Sequence, residues 1–98
     1  METTNTISIN LMACQAISTK YLGATNHRGS RIKATCPAGS LTVPFDHALN
    51  APNNHAAAGI ALARKLGWTG TLSLGGTKEG YVLVFVDDYS TVQLHPNV

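Results

Sequence analysis

The residues best suited to chemistry lie in one stretch, KYLGATNHRGSRIKA, from Lys20 to Ala34. It holds four of the chain's seven Lys and Arg residues: Lys20, Arg28, Arg31 and Lys33. No acid stands anywhere from Thr3 to Phe45. Arginine forks match the oxygens of phosphate, and an aromatic side chain can stack on a base. Tyr21 supplies that aromatic, and the backbone N–H groups of Gly29 and Ser30 are further donors for an anion. The candidate ligand-binding residues are therefore Lys20, Tyr21, Asn26, His27, Arg28, Arg31 and Lys33, and the ligand class is an anionic nucleotide or nucleic acid. The competing reading is a solvated sheet face, because Lys, Arg and Thr commonly protect such surfaces from unwanted pairing.

Other candidate chemistry is thinner. Asp46-His47 precedes a helical stretch that begins near His55, and Asp with His can support general-base work or metal binding. A small hydrolase using Asp46, His47 and His55 is thus an alternative, although Asp46 is better suited to capping loop or helix N–H groups. No metal-ligand pair recurs within an element, the two cysteines fit no zinc spacing, and no cofactor is implied. Cys14 and Cys36 read as small buried hydrophobes. The GGTKEG segment, 75–80, joins two strands and opens no helix, so it reads as a hairpin turn and not as a phosphate loop.

The elements that must position these groups follow from pattern. Ninety-eight residues suit one domain. Hydrophobic residues make up 44 % and charged residues only 12 %, about half the usual share, which points to a partly covered surface and a homo-oligomer. A net charge of +2 is too mild for a nucleic-acid mimic or a histone-like packer, so any attraction for anions must be local. No signal-like start and no apolar run of membrane length are visible, so a cytoplasmic protein without membrane association is expected.

Met1 to Asn10 is polar, with Ile7 and Ile9 alternating, and suits a flexible arm or a short edge strand. Strands are expected over Cys14–Leu22, Ser30–Cys36, Leu41–Phe45, Trp68–Leu74 and Tyr81–Val86, and a short one over Ser90–His95. The loop Gly23–Gly29 is expected to use positive φ at Gly and Asn. A helix, HAAAGIALARKL, should start after an Asn53 or Asn54 cap and stop at Gly67. Ala56, Gly59, Ile60, Ala63 and Leu66 would be its buried face, and Ala57, Ala58 and Ala61 its outer one. Tyr81–Val86, apolar throughout, suggests a strand buried on both faces. The order β-β-β-α-β-β predicts a single α+β domain, a mostly antiparallel sheet backed by one helix.

A hairpin centred near residue 25 would set Thr19 opposite Arg31, Ile17 opposite Lys33 and Cys14 near Cys36. Tyr21, Arg31 and Lys33 would then share one face, with Cys14, Ala16, Ser18, Ile32, Ala34 and Cys36 on the other.

The KYLG-x-TN-x-RGSRIKA stretch, with VPFDHALN, NHAAAGIALARKLGW and GG-x-K-x-GYVLVF after it, resembles short uncharacterised proteins of bacteriophages and mobile elements. The similarity spans roughly 19–86, and TNHRGSRI is its most distinctive part. By genetic context, the resemblance implies an accessory role against host defence. Two readings fit that role: a sponge for nucleotide messengers, or an anti-CRISPR-like inhibitor that contacts a host defence complex through the alanine-rich helix face or a sheet edge.

Overall fold

An isoleucine and a threonine at alternate positions start the sheet. In β2 (Ile17–Leu22), Ile17 and Thr19 are buried while Ser18 and Lys20 are exposed. The same alternation in β3 (Arg31–Cys36) buries Ile32, Ala34 and Cys36. The computed structural model describes residues 7–10, 15–86 and 91–94. Over these residues the chain adds β1 (Ile7–Asn10), β4 (Gly39–Pro44), the helix α1 (Ala51–Lys65), β5 (Thr71–Gly76), β6 (Gly80–Val86) and β7 (Thr91–Leu94). The expected α+β architecture is present: five antiparallel strands in the order β4-β3-β2-β6-β5, with α1 packed on β3, β2, β4 and β6. β1 pairs antiparallel with β7 in a two-stranded sheet of its own, so Ile7–Asn10 is a strand. Cys14 and its expected closeness to Cys36 fall outside the described residues.

The helix begins earlier than its alanines suggest. Asn50 is the N-cap, its Oδ1 accepting from the Asn53 N–H at 2.9 Å. Pro52 then falls in the first turn, where a missing N–H costs nothing and the fixed φ favours the helix. Asn53 and Asn54 are therefore inside the helix, not at its cap. At the other end Gly67 adopts φ +76°. Its N–H reaches the Arg64 carbonyl at 3.0 Å, and the Trp68 N–H reaches that of Ala63 at 2.9 Å. This is a Schellman stop, for which glycine at that position is the favoured residue.

With the start moved, the buried stripe moves as well. It is Asn54, His55, Ala58, Gly59, Leu62 and Ala63, while Ile60 is exposed. Ala58 and Leu62 thus replace Ile60 and Leu66 in the innermost positions. Gly59 lets the helix settle on β6: a Cβ there would stand 2.7 Å from Leu83 Cδ1. The core is Ile17, Ile32, Ala34, Cys36, Ala58, Leu62, Ala63 and Leu83. β6 is an interior strand as expected, but only its inner face is covered; Val84 and Val86 on the opposite face are exposed.

Candidate anion-binding site

The register of β2 with β3 decides what the basic stretch can build. Lys20 stands directly opposite Lys33, Ser18 opposite Thr35, and Leu22 opposite Arg31. This is three residues away from a hairpin centred near residue 25, because the strands end at Leu22 and resume at Arg31 with the turn displaced towards the second strand. An odd slip exchanges the faces of one strand relative to the other. The set Ile32, Ala34 and Cys36 remains on the helix side as expected, but its β2 partners there are Ile17, Thr19 and Tyr21, not Ala16 and Ser18.

The outer face, which carries no helix, thus collects Ser18, Lys20 and Leu22 from β2 and Arg31, Lys33 and Thr35 from β3. The turn between β5 and β6 closes one side. There the Thr77 N–H donates to the Gly80 carbonyl at 2.9 Å, and Thr77 Oγ1 accepts from the Gly80 N–H at 3.0 Å, presenting Lys78 and Glu79. Lys20, Lys33 and Lys78, with Ser18, Thr35 and Leu22, line an open concavity of about 720 Å³. Among the described residues, three ammonium groups around one hollow, offset by the Glu79 carboxylate, make it locally positive. Lys78 was missed because GGTKEG reads as a turn, and nothing in the sequence places that turn beside β2.

The seven residues expected to form the site do not converge. Lys20 and Lys33 are adjacent, and Arg31 is on their face. Tyr21 is on the opposite face, where its ring meets Phe45 edge-on with centroids 5.8 Å apart. It therefore cannot stack a base held by Lys20 and Lys33. Arg31 is half-buried: one guanidinium N–H donates to the Gly29 carbonyl at 3.1 Å, and its enclosed Nε has no hydrogen-bond partner among the described residues. Asn26, His27 and Arg28 are exposed in the loop. That loop is turned by Thr25, not by positive φ. Thr25 Oγ1 accepts from the N–H groups of His27 (3.2 Å) and Arg28 (3.0 Å), and the Thr25 N–H donates to the Arg28 carbonyl. Among the described residues only Gly67 and Gly70 have positive φ.

Asp46, His47 and His55 are engaged separately. Asp46 Oδ1 accepts from the Ala48 N–H at 2.9 Å, the loop-capping role expected of it. The His47 ring packs on Phe45, with centroids 5.1 Å apart. His55 is buried against β2 and β6. Its Nδ1 lies 2.7 Å from Thr19 Oγ1, and its ring is 4.6 Å from that of Tyr81. Thr19 Oγ1 also donates to the Tyr81 carbonyl at 3.3 Å, so in that arrangement His55 Nδ1 carries the proton and donates to Thr19. No group of three or more His, Cys, Asp or Glu that could hold a metal ion occurs among the described residues. On the helix surface Ala57 is exposed and Ala61 half-buried, leaving little of the alanine face for a partner.

Burial holds His55 neutral below its ordinary pKa of 6.5. As the pH falls, the unfolded chain takes up that proton before the folded one does. His55 therefore contributes full stability above about 6.5, and the contribution is lost as the pH falls from there towards the lower folded value. Denaturant unfolding of the wild type and of His55→Gln across that range checks this. The wild type should lose stability more steeply on acidification; parallel curves would exclude His55 as the cause.

The chain matches no protein-family model, no curated protein and no solved structure. No helix among the described residues is long and apolar enough to cross a membrane.

Proposed function

We propose that this is a non-enzymatic binding protein that holds a phosphate-bearing anion, a nucleotide or nucleic acid, against its open sheet face. The supporting observation is the direct pairing of Lys20 with Lys33 beside Lys78 in one concavity. Like charges directly opposite each other across strands destabilise a sheet. An anion between them reverses the sign, since each ammonium then makes a charge-assisted hydrogen bond. Ser18 and Thr35 add hydroxyl donors on the same wall. Arg31 braces the neighbouring loop, and Tyr21 has no part in the contact.

Titration of a nucleotide panel and of short DNA and RNA, each at two salt concentrations, tests the reading. Lys20→Ala and Lys33→Ala should each weaken binding at least about tenfold, while Tyr21→Ala leaves it unchanged. A steep salt dependence would identify a nucleic acid, because each neutralised phosphate releases counterions, and a shallow one a mononucleotide. Absence of binding across the panel, or binding indifferent to both lysines, overturns the proposal.

A further inference from the structure

The two edges of the five-stranded sheet differ. At the β4 edge Lys65 reaches from the end of α1 and donates from Nζ to the Ser40 carbonyl at 3.1 Å. Pro44 at the end of that strand has no N–H to offer. Both features discourage pairing with another strand. β5 has neither: its sequence, TLSLGG, contains no charge and no proline, and every residue but Leu72 is exposed. Since α1 lies over the other four strands, an apolar hollow of about 420 Å³ remains between the helix and β5, lined by Ile60, Trp68, Leu72, Leu74 and Phe85 among others. Ile60 and Leu74 are 39 % and 37 % exposed, high values for apolar side chains beside a core.

The turn at Thr77–Gly80 fixes which backbone groups of β5 point away from β6. Thr77 and Gly80 are hydrogen-bonded across the turn, and bonded pairs alternate along an antiparallel ladder. Gly75, Ser73 and Thr71 consequently face β6 with their N–H and C=O groups. Leu72, Leu74 and Gly76 direct theirs away from the sheet.

We propose that β5 is a self-pairing edge, through which two copies of this chain join antiparallel across a two-fold axis at Ser73. The two five-stranded sheets then form one of ten. In this register Leu72 of each copy pairs with Leu74 of the other, and the outward backbone groups of both are satisfied. Those leucines lie on the helix side, so the two apolar hollows meet in one continuous seam. A two-fold interface must be complementary to itself, and the Leu-Ser-Leu centre of β5 is: apolar meets apolar on one face, and Ser73 meets its own counterpart on the other. An unrelated extended segment would also find these backbone groups, but only self-pairing uses this symmetry. The interface is independent of the lysine concavity.

Measuring the mass of the full chain in solution over a dilution series tests the proposal. The wild type should be a dimer. Ser73→Lys sets two ammonium groups face to face on the axis, and should raise the dimer dissociation constant at least about tenfold. Because Ser73 is exposed, the melting curve of the monomer should be unchanged. Ser73→Glu should dissociate likewise, and an equimolar mixture of the two variants should recover dimers of mixed composition. A wild type that stays monomeric throughout, a Ser73→Lys variant that dimerises as tightly as the wild type, or a mixture that does not reassociate overturns the assignment.

Discussion

Replacing Gly80 with alanine should cost about 3 kcal/mol or more and lower the melting temperature by more than about 10 °C. Gly80 pairs with Lys20 where β6 enters the sheet. A Cβ at this position would collide with the Thr19 carbonyl oxygen and stand 3.0 Å from the carbonyl carbon. These are backbone atoms of the central strand, so no rotamer change relieves the contact. The pair must open, and opening it also disturbs Thr19, whose hydroxyl serves both His55 and the Tyr81 carbonyl. Gly76→Ala is the control: it is in the adjoining strand and has open space at its Cβ position. Thermal melts of the two variants should differ sharply. A Gly80→Ala protein melting within a few degrees of wild type would show that β2 and β6 are not closely paired at Lys20 and Gly80.

Asn54→Ala should be nearly as damaging, at about 3 kcal/mol, because it removes four part-buried hydrogen bonds, each worth about 0.5–1.5 kcal/mol. Asn54 is 3 % exposed and ties the chain leaving β4 to the first turn of α1. Its Oδ1 accepts from the Asp46 N–H at 2.7 Å. Its Nδ2 lies within 2.9–3.1 Å of the carbonyls of Asp46, Leu49 and Asn50. Two protons serve three acceptors, so one bond is shared. Asn54→Asp keeps the acceptor but places an anion against three carbonyls, and should be no better than alanine. Denaturant titration with the slope monitored separates a local loss from a change in the unfolded state. A loss below about 1 kcal/mol in Asn54→Ala would mean that the loop finds other partners.

Alternation and punctuation made most of the fold legible. Ile32-x-Ala-x-Cys identified the inner side of β3, Gly67 the helix stop, and the glycines of 75–80 the last hairpin. What could not be read was β2. Ile17 and Thr19 form its inner side, yet a threonine there looks solvent-facing until His55, which is 36 residues away, satisfies its hydroxyl. With Thr19 misjudged, Ala16 and Ser18 appear to be the smaller, better-buried set, and Tyr21 joins the cations. The helix face shifted for a related reason. Asn54 reads as a cap because asparagines often cap, whereas here its four contacts are to a loop that exists only in the fold. The basic stretch was recognisable, but the pairing of Lys20 with Lys33 was not, because a hairpin centred near residue 25 puts the two on opposite faces. The contribution of Lys78 depends on the order β3-β2-β6-β5, which brings together residues too far apart for local pattern to relate.

That strand order also shapes how the chain acquires its structure. β2, β3 and β4 are consecutive neighbours, and β5 and β6 form one hairpin, so each group can assemble from nearby sequence. Within the five-stranded sheet only β2 with β6 joins distant segments: Thr19 and Tyr81 are 62 residues apart. Closing that loop costs entropy before the seam returns any contact energy, and non-local pairings of this kind slow folding. α1 lies between the two groups in sequence and packs on members of both, so the helix braces the seam from one side. The domain is therefore two locally connected groups of strands joined at one long-range seam, with Thr19, His55 and Gly80 at the joint.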